Sequence, residues 1–167
     1  FNPAARVACE WTGKELTPEN RMWLESLLQT IVEEVFTLVH GSLRAPIWEY
    51  ITHPTIARYT FELLTTKICF HGHTHVPVLF REGGSEPEAL ILPPGKRVAL
   101  DEKRYLINTG SVGQPRDGDP RASYLLFDSQ EGVLEYRRVE YPIGETQKAM
   151  REKGLPESLI VRLSYGW

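Results

Sequence analysis

Three of the five histidines in this chain sit directly after apolar runs. His40 follows Val35-Phe36-Thr37-Leu38-Val39, and His73 and His75 follow Lys67-Ile68-Cys69-Phe70 within the segment His71-Gly72-His73-Thr74-His75. Imidazole nitrogens bind metals and carry protons. Side chains two residues apart in an extended segment face one side, which predicts that His73 and His75 do so. Gly72 lets the backbone turn sharply before them. Sequential strands usually lie side by side, so His40 is expected next to the pair, beyond the carboxyl ends of the strands, where α/β proteins bind ligands. Three converging imidazoles suit Zn, Mn, Fe, Co or Ni better than Mg or Ca. The competing reading is that each histidine is an ordinary capped or solvated strand end; the Gly-His-x-His spacing is what argues for ligation. His53, before Pro54, reads as a helix-start residue.

The elements that must position these residues follow from periodicity and punctuation. Ala4 to Leu16 has helical spacing, with Asn2 as N-cap and Pro3 at the first helical position. Thr17 and Pro18 start a second helix whose buried stripe is expected to be Met22, Trp23, Leu24, Leu27 and Leu28. Residues 29–34 and 35–39 read as short strands, the second apolar enough to be covered on both faces. Helical stretches are expected at 46–51 and 54–64, and a buried strand at 67–70. Short strands separated by Gly-, Pro- and Asp-rich loops then follow at 76–80, 89–92, 97–100, 105–107, 123–127 and 134–139. Helices near 144–153 and 156–163 end the chain. Helices and buried strands thus give way to a β-rich meander, which predicts one α/β unit over residues 1–167.

With 41% hydrophobic and 25% charged residues, the chain has a globular composition. A net charge of −3 argues against general nucleic-acid binding, which usually shows as a basic surplus. A small phosphorylated substrate stays compatible, because a metal can supply positive charge. No window approaches the roughly 18 apolar residues of a membrane span, and no signal-peptide pattern opens the chain. Cys9 and Cys69 lack CxxC spacing and read as two buried, reduced thiols, which points to a cytoplasmic protein.

Phe70 to Pro77 (FHGHTHVP), Val39 to Ser42 (VHGS) and Ile107 to Tyr124 (INTGSVGQPRDGDPRASY) together resemble the calcineurin-like metallophosphoesterases, most of all the diadenosine-tetraphosphatase-like and phosphodiesterase branch. The resemblance implies an αββα sandwich, of which this chain would supply the C-terminal half. It implies two divalent transition metals (Mn, Fe, Zn, Ni or Co), with His40 and His73 on one and His75 on the other. It also implies hydrolysis of a phosphomonoester, phosphodiester or dinucleoside polyphosphate by a metal-bridging hydroxide. The family's D-x-H, G-D and G-N-H blocks do not occur here, so the site is expected to be completed by residues upstream of Phe1, and this chain alone is expected to be inactive. Arg44 and Arg116 are candidates for the substrate phosphate, since guanidinium forks suit it, or else for ion pairs bracing their loops. His71, where relatives usually carry an apolar residue, is expected in a supporting or exposed role. Gly110, Ser111 and Gly113 are expected to shape their loop, and Asp101, Asp117, Asp119 and Asp128 to serve turns and caps. Two alternatives remain: an inactive, protein-binding scaffold of the same fold, and a structural domain holding one zinc.

Overall fold

The apolar runs that end in histidine do become neighbours. A computed structural model of the chain describes residues 2–167. In it β2 (Phe36–Val39) pairs in parallel with β3 (Ile68–His71), and β3 pairs in parallel with β7 (Tyr105–Asn108). β1 (Thr30–Val32) adds to β2 as an antiparallel hairpin, closed by Glu33 N–H donating to Phe36 O at 2.8 Å. On the far side β4 (Val78–Arg81) and β5 (Glu88–Leu90) run antiparallel, giving the order β1-β2-β3-β7-β4-β5. A second, three-stranded antiparallel sheet has the order β6-β9-β8, from β6 (Arg97–Ala99), β8 (Ala122–Asp128) and β9 (Val133–Val139).

Side-chain alternation splits the core into two layers. Val39, Cys69, Leu106 and Phe80 face α3 (Pro54–Leu63), whose Ala57 and Phe61 pack against them. Ile68, Leu79, Tyr105 and Ile107 face the second sheet's Leu134 and Tyr136. All four residues of β7 are buried, as befits a strand covered on both faces. Arg104 ties the end of α3 to the sheet, donating to the carbonyls of Phe61 (3.0 Å) and Leu64 (2.7 Å) and to the Glu82 carboxylate. Carbonyls at a helix end run short of intrahelical donors, Phe61 O having only the capping Leu64 N–H at 3.2 Å, so the guanidinium supplies what the helix end needs. α4 (Ile143–Glu152) and α5 (Glu157–Val161) stand close to the predicted bounds.

Four expectations need correction. Residues 46–51 form a turn and no helix. The Pro46 carbonyl, which a helix would use internally, instead accepts from Gly41 N–H at 2.6 Å. α1 (Pro3–Glu15) and α2 (Pro18–Glu25) are capped by Asn2 and Thr17 as predicted, yet neither buries a residue. Met22, Trp23 and Leu28 are 64%, 62% and 73% exposed, so the expected buried stripe has nothing over it. The second face of β2 is covered only in part: Phe36 packs on the side of the core that holds Ile68 and Ile107, but Leu38 stays open and, with Leu27, Leu28, Ile31 and Phe70, lines an open cavity of about 540 Å³. Cys69 is buried, but Cys9 lies exposed on α1.

Candidate metal centre

The parallel strands β2, β3 and β7 deliver His40, the His71–His75 loop and Asn108 to one edge of the sheet. Gly72 N–H donates to His40 O at 3.0 Å, carrying the ladder one step past the strands. There His40 Nε2 and His73 Nδ1 lie 2.8 Å apart, and the Tyr50 ring stacks on His73 with centroids 3.9 Å apart. His75 Nδ1 lies 2.7 Å from the carbonyl of Gln114. A carbonyl only accepts, so His75 carries its proton on Nδ1 and keeps its Nε2 lone pair free. Metal-binding histidines are commonly oriented in this way.

The segment from His73 to His75 is not extended. His73 and His75 have φ of 66° and 62°, in the left-handed region that non-glycine residues seldom occupy. Strand alternation therefore does not set their directions; the turn does. Among the described residues no group of three or more His, Cys, Asp or Glu side chains gathers as one metal ion would need. The structure brings His40 and His73 together and leaves His75 apart from that contact, although its charge, like that of His40, bears on His73. Burial pushes both His73 and His75 below the usual histidine value, and the positive charge of Arg116 acts in the same direction on each. Both are therefore neutral near pH 7, as ligation requires. The facing nitrogens of His40 and His73 are of the type an N-preferring divalent ion takes, and they leave its coordination incomplete; His75 does not join them.

The two arginines differ. Arg44 donates to Glu49 through Nε (3.1 Å) and Nη2, and its guanidinium lies 4.6 Å over the Tyr59 ring, so it braces its own loop. Ser42 Oγ adds a second donor to Glu49 at 2.5 Å. Arg116 pairs with no carboxylate among the described residues. Its Nη2 donates to Gln114 Oε1 at 2.9 Å, its buried Nε has no partner, and its backbone N–H donates to His75 O at 3.2 Å. His53 caps α3 as expected, accepting from Thr55 N–H at 3.2 Å. Asp101, Asp119 and Asp128 accept backbone N–H bonds in turns, and Asp117 pairs with Arg138.

His71 is buried, which settles its expected role in favour of the interior. Its Nδ1 lies 3.3 Å from Asn108 Nδ2, its Nε2 has no partner, and burial pushes its pKa down to about 4. An unfolded histidine takes its proton near pH 6.5, so between these values the unfolded state binds more protons and stability falls as pH falls. Acidification from pH 6.5 to 4 should cost about 3 kcal/mol through this group, about 2 kcal/mol of it by pH 5. Urea unfolding with chelator present, at pH 7 and pH 5, checks this: the wild type should lose more than His71→Leu by that amount.

Sequence reasoning missed Asn108, Tyr50, Thr74 and Gln114. Tyr50 carried no usable signal, since it counted as one apolar residue of a helix that does not form. Asn108, a polar residue ending an apolar strand two positions before a glycine, did carry one.

This fold and cluster place the chain in a known class. It matches the calcineurin-like phosphoesterase superfamily domain over residues 14–132 and belongs to that superfamily. It is 37% identical over 171 residues to the uncharacterized protein MJ0912 of Methanocaldococcus jannaschii, covering 99% of this chain and 68% of that protein. It superposes with a TM-score of 0.93 and 47% identity on the crystal structure of a metallophosphoesterase from Sphaerobacter thermophilus, covering 99% of this chain and 69% of that one. The hypothetical protein PH1004 of Pyrococcus horikoshii shares the fold at a TM-score of 0.71 and 18% identity, over 92% of this chain and 57% of that one. The expected metallophosphoesterase fold is thus the observed one. No helix among the described residues is long and apolar enough to cross a membrane.

Proposed function

We propose that the intact protein is a metal-dependent phosphoesterase, hydrolysing a phosphomonoester, phosphodiester or dinucleoside polyphosphate, with His40, His73 and His75 among its metal ligands. The observation that carries this reading is the 2.8 Å approach of His40 Nε2 to His73 Nδ1 at the ends of adjacent parallel strands, in a chain of this superfamily. Two divalent transition ions would supply Lewis acidity and a water of lowered pKa. His40 and His73 would hold one ion. His75 would present Nε2 to the other while Gln114 fixes its ring. Arg116, which pairs with no carboxylate among the described residues, suits the substrate phosphate better than Arg44, which Glu49 already engages.

The site is completed, in this reading, by residues upstream of Phe1. Both close relatives extend well beyond the match, and Leu27, Leu28, Ile31 and Leu38 leave an apolar face open beside His40. The paired imidazoles speak against the scaffold alternative, since protein binding gives no reason for such a pair. The protein is taken to be cytoplasmic. Hydrolysis of an aryl phosphodiester with added Mn tests the proposal. The upstream-extended protein should be active and silenced by chelator, and this chain alone should be inactive. An extended protein that is inert with every divalent ion tried would refute it.

A further inference from the structure

Thr74 N–H donates to Gly72 O across 2.8 Å, and His73 between them has a φ of 66°. An i to i+2 bond around a residue of positive φ marks the rarer, strained kind of γ-turn. Strain of this sort costs about 1–3 kcal/mol per residue and persists only where the surroundings over-determine it. Here one side chain holds both ends of the turn. Asn108 is fully buried, and its Nδ2 donates to Gly72 O at 2.7 Å and to Thr74 Oγ1 at 2.9 Å. Its Oδ1 accepts from Gly110 N–H at 3.0 Å, and its backbone carbonyl accepts from the Tyr136 hydroxyl of the second sheet. The amide has both its donors and its acceptor engaged, so rotating it would strand buried polar groups. Because β7 pairs with β3 with Asn108 opposite His71, the clamp stands on the sheet and not on a loop.

We infer that Asn108, acting through Gly72 and Thr74, is a positioning residue that locks His73 in its left-handed conformation and so aims Nδ1 at His40 Nε2. The consequence for metal binding rests on the proposed function; the geometric claim does not. Thr74 closes the clamp, and its own Oγ1 accepts from Val76 N–H at 3.1 Å, steadying the approach to His75.

The test compares Asn108→Asp, Thr74→Val and Thr74→Ser in the full chain by the imidazole nitrogen NMR signals of the metal-free protein. Asn108→Asp keeps the shape but turns an acceptor toward the Gly72 carbonyl, and Thr74→Val keeps the shape without the hydroxyl. Both should move the His40 and His73 signals, Thr74→Ser should restore them, and His53, which caps α3, should report an unchanged fold throughout. A residue that only stabilised the fold would lower the melting temperature without moving those signals. Co(II) titration adds a second readout: Thr74→Val should weaken uptake about 10–100-fold against wild type, with Thr74→Ser near wild type. A Thr74→Val protein with wild-type imidazole signals overturns the inference. If wild type takes up no Co(II) while the signals respond as expected, the metal reading fails and the positioning role stands.

Discussion

Replacing His73 with glycine should lower phosphodiester hydrolysis by the upstream-extended protein at least about 100-fold while lowering its melting temperature only modestly. The activity estimate follows from position: partners that merely orient a ligand cost about 10–100-fold when lost, so a ligand should cost no less. The stability estimate follows from the backbone. At φ 66° glycine relieves a strain of about 1–3 kcal/mol. Against this stand the extra chain entropy of glycine, about 0.5–1 kcal/mol, and the lost stacking on Tyr50, about 0.5–1.5 kcal/mol. The ring's lost hydrogen bonds to His40 and to the Trp48 backbone add about 0.5–1.5 kcal/mol each, which leaves a modest net loss. His53→Ala should show the opposite pattern: wild-type activity, and a loss of about 1 kcal/mol because the cap of α3 disappears. Rates beside thermal melts of both variants check the pair. Equal activity in His73→Gly and wild type would remove His73 from the site.

Gly110→Ala should be strongly destabilising for so small a substitution near the site. Gly110 has a φ of 78°, and an added Cβ would lie 2.5 Å from Ser123 Oγ and 2.8 Å from Ser123 Cβ. The left-handed backbone costs alanine about 1–2 kcal/mol, and forcing Ser123 aside adds about 1–3 kcal/mol. Ser123 cannot yield freely, because its Oγ donates to Thr109 O at 3.1 Å and its N–H to Ser111 O at 2.9 Å. The strain reaches the histidines through Asn108 Oδ1, which accepts from Gly110 N–H, and through the loop that brings Gln114 to His75. Gly113→Ala, with open space around it, should be neutral. Urea unfolding of the two variants decides the matter, with a gap of at least about 2 kcal/mol expected.

The parts of this fold legible in the sequence were those encoded locally. Apolar runs ending in His40 and His71 announced β2 and β3, and Asn2, Thr17 and His53 announced three helix starts. The parallel neighbourhood of His40 and His73 followed from a general rule of chain connection, not from any residue. What stayed hidden depends on contacts distant in sequence. The turn at 46–51 exists because Gly41 takes the Pro46 carbonyl. The left-handed conformation of His73 is held by Asn108, more than thirty residues away, and the ring of His75 is fixed by the equally distant carbonyl of Gln114. The stripe on α2 is a real apolar stripe, but whether it is buried depends on what lies over it, which periodicity within the helix cannot report.

The central claim is that His40, His73 and His75 are metal ligands of a phosphoesterase centre. The most direct measurement is the divalent metal content per chain of the upstream-extended protein, purified without chelator, beside the same protein carrying His40→Ala and His73→Ala together. The account predicts two ions per wild-type chain and the loss of at least one in the double variant. Equal metal content in the two proteins, or none in either, would contradict it.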